Sequence, residues 1–504
     1  MKLRAFVTLV AALPVAACAS APPPAPPAVA VAAAPAPATP PAPPERETPD
    51  APCRESAPLL PAPAPFSPPA IVSRRLSNGI PVLFLPRRGA FLRVEVIAET
   101  PPGKPGANSL AGSFLELGSR EHDRTALDRL ARDELLIRDH RVAYGFTMAN
   151  VTCFLDHAQK AIDLFAEEVR SPAYPADVLA RALELRRKKF EGNEASSTVA
   201  RRTLVRALYG EGVDLFGWLG PKEVAAITRD DVVAAYDANW VPSHVTLVAA
   251  GGTSEEELLP MLERAFGSWK ATPKRGKPAP KKVAPAPQVP AGPRIVVVDR
   301  PGATEAYVIT AGGGPRRAAP DWAAAEVMAD LFAGNHGIAT RTLRDDWHVN
   351  WHQGMSVEAF GPAPRVVWWG QLPASRTGDA LREVARLMRA MKESDPEASA
   401  IQATTTRLSQ PVWTQSLDGE VGTLEDLVLQ KLPLDEPATA PARYRAVTAA
   451  DVRRAAASYL DPDRMKTVVV GDWSALRAQM LALGWGPVEV RNETGELLAT
   501  EAGR

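Results

Sequence analysis

The sequence has few cysteines and no surplus of charge of either sign. Its three cysteines, Cys18, Cys53 and Cys153, are too few for a disulfide framework or a multi-cysteine zinc site. Lysine plus arginine and aspartate plus glutamate each number 58, so no basic excess indicates nucleic-acid binding. No acidic excess indicates a calcium-loaded or disordered solvating protein either. The composition therefore predicts no nucleic-acid partner.

Proline, by contrast, is abundant, and most of the 50 prolines lie in two stretches that divide the chain. The folded remainder is roughly 420 residues, which is too long for one hydrophobic core. We predict a signal peptide (1–17), an Ala/Pro-rich tether (19–70), an N-terminal domain (71–270), a Pro/Lys-rich linker (271–293), a C-terminal domain (294–490) and a tail (491–504).

The first residues predict export and lipid anchoring. Lys2 and Arg4 precede an apolar run that is too short to span a bilayer, and small residues lead directly to Cys18, as in a bacterial lipobox. Acyl chains on Cys18 would hold the protein on a membrane, facing the periplasm. Because Ala19 is not acidic, we expect the outer rather than the inner membrane. The alternative is an ordinary secretory signal with Cys18 incidental.

The periodicity of residues 71–120 predicts a hairpin, a strand and a helix. Asn78-Gly79 separates two strand-like runs, which is a strong hairpin signal, and residues 91–99 alternate as a further strand. Residues 106–119 have helical spacing; Asn108 or Ser109 is expected to cap this helix, and Gly118 to end it.

The closing parts of the two domains repeat one another. Ala226-Ile227-Thr228 with Asp231 matches Ala446-Val447-Thr448 with Asp451 at an offset of 220 residues, and Pro242/Pro462 and Gly251/Gly471 keep the same offset. Such fixed register predicts a duplicated unit. The order of elements in each copy predicts an α+β fold, with a mixed sheet covered by helices on one face.

Four segments carry a resemblance to a known family: LSNGIPVLFLP, AITRDDVVAAYDANWVPSHVTLVAAG, DRPGATEAYVITAGG and AVTAADVRRAAASYLDP. Together they resemble the pitrilysin/insulinase family of metallopeptidases, which includes mitochondrial processing peptidase. The resemblance covers about residues 71–490. It implies two duplicated domains of the LuxS/MPP-like metallohydrolase fold.

The resemblance also shows where the zinc motif of active members has been lost. In those members the helix at 106–119 carries H-x-x-E-H, and the matching positions here are Ser109, Gly112 and Ser113. Glu191 matches the third zinc ligand and would be a relic. Without imidazoles a single carboxylate does not hold zinc, so we expect no metal cofactor. Zinc is expected only in the active members of the family.

The second domain departs from the family pattern as well. The Arg and Tyr that help active members to polarise the substrate carbonyl are matched by Ile338 and Trp351, with Arg341 three residues from the first position. His348 and His352 lie four residues apart, near His336 and Asp345. No Glu lies between the two histidines, however, and we do not favour a metal site there.

These observations predict a protein that is not an enzyme on its own. The resemblance implies a chamber-forming subunit that pairs as a heterodimer with a catalytic zinc-bearing homologue, and that binds peptides or unfolded polypeptide in the bacterial cell envelope. The alternatives are an active metallopeptidase with a displaced metal site and a structural envelope scaffold.

Overall fold

The computed structural model describes residues 68–101, 103–188, 194–210, 213, 215, 220–270, 294–349, 352–361 and 363–503. The signal peptide, Cys18, most of the tether, Glu191, the linker and Trp351 lie outside the described residues. Within the described part, no helix is both long and apolar enough to cross a membrane. We call residues 71–270 the first lobe and residues 294–503 the second lobe.

The described residues of the first lobe form six strands and eight α-helices. The strands are β1 (Val72–Arg75), β2 (Pro81–Pro86), β3 (Phe91–Glu99), β4 (Ile137–Ala143), β5 (Phe146–Phe154) and β6 (Val245–Gly251). The helices are α1 (Ala107–Ser113), α2 (Arg124–Asp133), α3 (Ala158–Arg170), α4 (Ala176–Lys188), α5 (Ser196–Tyr209), α6 (Pro221–Ala225), α7 (Arg229–Asn239) and α8 (Glu255–Phe266).

The second lobe repeats this order of elements. Its strands are β7 (Ile295–Asp299), β8 (Glu305–Gly313), β9 (Gln353–Glu358), β10 (Arg365–Pro373), β11 (Lys466–Gly471), β12 (Val488–Arg491) and β13 (Leu497–Glu501). Its helices are α9 (Trp322–Ala333), α10 (Ile338–Thr340), α11 (Thr377–Glu393), α12 (Ala398–Leu408), α13 (Leu417–Leu429), α14 (Glu436–Arg445), α15 (Ala449–Tyr459) and α16 (Trp473–Leu481). A π-helix, Arg341–Asp346, follows α10.

The sheet topology agrees with the predicted duplication. The sheets have the orders β1-β2-β6-β3-β5-β4 and β13-β12-β7-β11-β8-β10-β9. Five strands correspond: β2-β6-β3-β5-β4 in the first lobe and β7-β11-β8-β10-β9 in the second. In both sets the first pair is parallel and the other three pairs are antiparallel. The α+β class is confirmed.

Two sequence signals have clear physical counterparts. Gly79 adopts a left-handed φ of 89°, and its N–H donates to the Leu76 carbonyl at 2.8 Å, which closes the predicted β1–β2 hairpin. The repeated threonine and aspartate form reciprocal capping boxes, Thr228 with Asp231 at α7 and Thr448 with Asp451 at α15. The 220-residue offset therefore relates the N-termini of two equivalent helices, α7 and α15.

Helices cover both faces of each sheet, so the expectation of one covered face is wrong. The second face is covered by a helix from the other lobe. Val421, Leu424 and Leu427 of α13 pack on Leu83 and Val248 of the first sheet. Helix α5 does the same for the second sheet, and we call α5 and α13 the exchanged helices.

The exchange follows from strands that are apolar on both sides. In β6, Leu247 and Ala249 face the helices of their own lobe, whereas Val248 and Ala250 face α13. The side chains of β11 alternate in the same way: Val469 faces the helices of its own lobe, whereas Val468 and Val470 face α5. A strand buried on both faces is stable only when both faces are covered.

The second sheet also extends further than the sequence suggested. Residues 491–504 were expected to form a tail, but Leu497–Glu501 pairs antiparallel with β12. The described second lobe therefore includes an additional edge hairpin.

A polar network lies between the first sheet and α13. Glu95 of β3 is fully buried, and its Oε2 accepts from Arg141 at 3.3 Å and from Asn150 at 3.4 Å. Its Oε1 has no hydrogen-bond partner. Arg141 also pairs with Glu425 of α13, and Arg87 lies 3.3 Å from Glu420. Burial, reinforced by Glu425 and opposed by Arg141, raises the pKa of Glu95 to about 8.

The exchanged helix α13 should be essential for the stability of the first lobe. Leu424→Ala leaves a cavity at a fully buried position and should lower the free energy of unfolding by about 2–5 kcal/mol. Leu185→Ala, at an exposed position of α4, is the matched control and should change it by less than about 0.5 kcal/mol. Equal effects of the two substitutions in urea denaturation would contradict the packing role of α13.

Stability should fall with rising pH because of Glu95. Its folded-state pKa of about 8 lies above the ordinary glutamate value of 4.5, so between these pH values the folded chain holds a proton that the unfolded chain has lost. The free energy of unfolding should therefore decrease as pH rises through this window, by at most about 1.4 kcal/mol per pH unit for one proton. Glu95→Gln should remove this decrease, and Glu256→Gln on the exposed face of α8 should not. Identical pH profiles for Glu95→Gln and the wild type would refute the assignment.

Candidate active-site helix

Helix α1 is short and begins before the residues expected to cap it. Its N-cap is Gly106, with φ 80° and no side-chain cap, so the expectation of Asn108 or Ser109 as cap is wrong. The left-handed turn at Gly106 starts the helix early, which places both side chains inside it. Asn108 Nδ2 instead donates to the Pro101 carbonyl at 2.9 Å. The α-helix ends at Ser113, five residues before the predicted end at Gly118, and a separate 3₁₀ turn (Leu115–Leu117) leads to Gly118 at φ 140°.

The two positions that match zinc-binding histidines hold buried serines. Ser109 and Ser113 are 1% and 5% exposed, and Ser109 Oγ donates to the Gly106 carbonyl at 3.0 Å. Neutral hydroxyl groups are poor substitutes for imidazole as zinc ligands. The Ser109 hydroxyl, moreover, is already used inside its own helix.

Gly112, at the position of the family's general base, has no room for a side chain. A Cβ atom added to Gly112 would lie 2.0 Å from Thr147 Cγ2 and 3.4 Å from an indole carbon of Trp240. Thr147 belongs to β5 and is fully buried, with Oγ1 3.3 Å from Thr100 Oγ1. The sheet therefore fills the space that a glutamate would need.

These residues do not fit zinc. Two hydroxyls and a glycine provide no imidazole and no carboxylate, and the space beside Gly112 is a cavity of only about 20 Å³ that His140 and Glu168 also line. Glu168 pairs with Arg138, whose second partner is Asp128 at 2.7 Å, so these carboxylates already have a cation. Burial raises the pKa of Glu168 to about 7 despite Arg138.

The structure describes only some of the other positions that the sequence predicted as site residues. Glu191 and Trp351 lie outside the described residues. Glu184, seven residues before Glu191, is exposed and lies 3.6 Å from Arg187. Ile338 begins α10 and packs half-buried on the second hydrophobic core, so its side chain is structural.

The second lobe has an unusual backbone beside these positions. Arg341 is exposed at the start of the π-helix, and His348 has a left-handed φ of 55°. His348 Nδ1 lies 3.1 Å from the Arg344 carbonyl, and Arg344 Nε donates to Asp345 at 2.7 Å. Asp345 therefore forms an ion pair with Arg344.

A cleft of about 90 Å³ lies beside α1, and sequence reasoning did not find it. It is lined from the helix side by Lys104, Asn108 and Ser109 and from the strand side by Val142, Tyr144 and Gly145. Thr147 and Tyr144 belonged to no motif, and Trp240 lay in a segment of the resemblance that gave it no role. Their importance arises from contacts with residues distant in sequence, which no local spacing predicts.

The close packing at Gly112 gives a direct test of the closed site. Gly112→Ala should lower the free energy of unfolding by about 1–3 kcal/mol, because the new methyl group overlaps Thr147. Adding Thr147→Ser removes Cγ2 but keeps the hydroxyl, and should recover most of the loss. Gly422→Ala in α13, where nothing lies within 4 Å, should instead stabilise by up to about 1 kcal/mol. No difference between the two alanine variants in thermal unfolding would contradict the closed packing.

Known proteins agree with this architecture. Solved structures that resemble the chain include a peptidase M16 inactive domain from Pseudomonas fluorescens, with a TM-score of 0.71 and 18% identity, covering 80% of this chain and 98% of that one. A protease from Helicobacter pylori gives a TM-score of 0.70 and 14% identity, covering 80% and 99%.

The periplasmic protease PqqL from Escherichia coli gives a TM-score of 0.65 and 15% identity, covering 80% of this chain but only 45% of that one. Identities this low establish the fold alone. No curated protein sequence matches the chain.

A family model provides the sequence-level match. The model described as "Peptidase M16 inactive domain" matches residues 226–389, which run from the end of the first lobe into the second. Over these residues the chain is similar to the inactive domain of the peptidase M16 family, and the solved structures extend the same fold over 80% of the chain.

Proposed function

We propose that this chain is a non-catalytic peptidase homologue that binds peptides and forms one half of a chamber with a separate zinc-bearing homologue. The observation that carries the proposal is the packing at Gly112, where Thr147 occupies the space of a general base. The surrounding fold is retained over 80% of the chain. Loss of the site with retention of the fold is expected for a binding subunit.

Peptides would bind as an added strand. Among the described strands, β4 pairs only with β5, so its outer edge has main-chain groups available for a partner strand. The cleft beside Ser109 and Tyr144 lies where β4 ends and α1 begins. Strand addition recognises the backbone, so the chain would accept peptides of varied sequence.

The proposed location is the bacterial cell envelope, with the folded part facing the periplasm. The lipobox-like residues before Cys18 support lipid anchoring. The likeness to a periplasmic protease supports a location in the periplasm. The outer membrane is favoured over the inner because the residue after Cys18 is not acidic. Substitution of Cys18 by Ser should release the protein from membranes if this proposal is right.

The decisive experiment measures cleavage and binding together. The purified chain, with and without added zinc, should leave unstructured fluorogenic peptides intact. It should nevertheless bind a labelled peptide in fluorescence anisotropy. The same peptide with alternate backbone nitrogens methylated should bind about tenfold more weakly or worse, because each lost hydrogen bond contributes about 0.5–1.5 kcal/mol.

Two outcomes would overturn the proposal. Cleavage by the chain alone that a chelator abolishes would favour the rival, an active metallopeptidase with a displaced site. Failure to bind peptides, together with failure to form a complex with a zinc-bearing homologue from the same bacterium in sedimentation, would favour a structural scaffold.

A further inference from the structure

A short loop after α1 presents two potential metal ligands in a fixed conformation. Two β-bridges, Gly118 with Asp123 and Ser119 with Pro172, hold its ends. Ser119 N–H donates to the His122 carbonyl at 2.8 Å, and Ser119 Oγ accepts from the His122 N–H at 2.8 Å. Glu121 N–H donates to the same hydroxyl at 3.1 Å. The loop is therefore ordered by its own backbone before any ligand binds.

A third potential ligand comes from helix α3. His122 Nδ1 lies 3.0 Å from Glu167 Oε1 and 3.1 Å from Oε2. One donor atom each from Glu121, His122 and Glu167 can be chosen so that all three lie within 4.8 Å of one another. In tetrahedral zinc sites, with metal–ligand bonds of about 2.0–2.2 Å, neighbouring donor atoms are about 3.3 Å apart. The His122–Glu167 spacing is close to this value.

We propose that Glu121, His122 and Glu167 form a binding site for a divalent transition metal, with zinc the favoured ion. The metal would take the place of the hydrogen bond between His122 Nδ1 and the Glu167 carboxylate. A set of one imidazole and two carboxylates suits zinc better than calcium or magnesium, which prefer oxygen ligands alone. Three protein ligands leave the fourth position to water or to a ligand group.

The surroundings support such a site. The Glu167 side chain is only 12% exposed, and it accepts a hydrogen bond from Ser119 Oγ, which would orient it toward the metal. Glu121 and Glu167 line an open cleft of about 750 Å³, which gives an ion a path from solvent.

Two of the four basic residues that line that cleft have partners elsewhere. Lys160 pairs with Glu134 at 2.8 Å, and Arg170 donates to the Ala265 carbonyl and to Ser268 Oγ. These contacts direct two positive charges away from the carboxylate of Glu167.

This site is separate from the family's zinc motif. It uses none of Ser109, Gly112 or Ser113, and its ligands come from the loop after α1 and from α3. The inference does not depend on the proposed peptide-binding function.

Isothermal titration of the whole purified chain with zinc, after removal of bound metal, tests the proposal. One equivalent should bind. His122→Ala and Glu167→Gln should each abolish this binding. Ser119→Ala should weaken it roughly 10–100-fold, because the hydroxyl orients Glu167 and holds the loop but is not itself a metal ligand.

His157 provides a matched control. Its Nδ1 lies 2.6 Å from Glu134 in a similar pair, but Lys160 binds the other carboxylate oxygen, and no second carboxylate among the described residues completes a three-ligand group. His157→Ala should leave zinc affinity unchanged. Thermal unfolding of the metal-free variants shows whether each is folded, and cobalt absorption spectra of folded variants give a second measure of binding.

The proposal is overturned if the folded wild type binds no zinc, or if His122→Ala and Glu167→Gln bind it as the wild type does. Zinc binding without peptide cleavage would leave the proposed function intact. Cleavage that His122→Ala abolishes would support the metal site and overturn the proposed function.

Discussion

The reciprocal covering of each sheet by a helix of the other lobe is the constraint on which the structure depends. Strands such as β6 and β11 are apolar on both faces. If only one face were covered, the apolar side chains of the other face would be exposed to water, which is unfavourable. Helices of the same lobe bury one face, and α13 or α5 buries the other. Neither lobe therefore has a complete core by itself, and the two halves of this duplicated chain are obliged to fold against one another.

The polar network under α13 gives this packing its specificity. A buried carboxylate such as Glu95 opposes folding when it is ionised, unless a cation accompanies it. Arg141 contacts both Glu95 and Glu425, so a single guanidinium joins the first sheet to the exchanged helix. The helix is thus fixed in one register by charge as well as by apolar contact. A purely apolar interface would permit sliding more easily.

The close fit at α1 leaves no room for a side chain at Gly112. The helix lies against β5, and the approach of Thr147 to Gly112 depends on there being no side chain at that position. Tyr174 adds to the closure by donating its hydroxyl to the Ala111 carbonyl at 2.7 Å. The serines at the predicted zinc-ligand positions and the packing of the helix are therefore consistent with each other, because the space beside Gly112 is part of the core.

Local signals in the sequence predicted local structure well. Asn78-Gly79 specified a turn by its backbone conformation, and the repeated Thr-x-x-Asp specified two helix starts, so the duplication could be read directly. The capping of α1 was misjudged because the left-handed Gly106 starts the helix early.

Contacts between distant residues could not be predicted. The exchange of α5 and α13, the overlap of Thr147 with position 112, and the approach of His122 to Glu167 join residues separated by tens or hundreds of positions. Amphipathic periodicity shows that a helix has an apolar face, but it does not show which sheet that face covers.

Anomalous diffraction at the zinc absorption edge, from crystals of the chain soaked in zinc, tests the central claim most directly. The account predicts no zinc beside Ser109 and Ser113, because hydroxyl groups and a filled space replace the ligands. A peak between these residues, with a carboxylate within bonding distance, would show that the helix still holds a metal and would contradict the account.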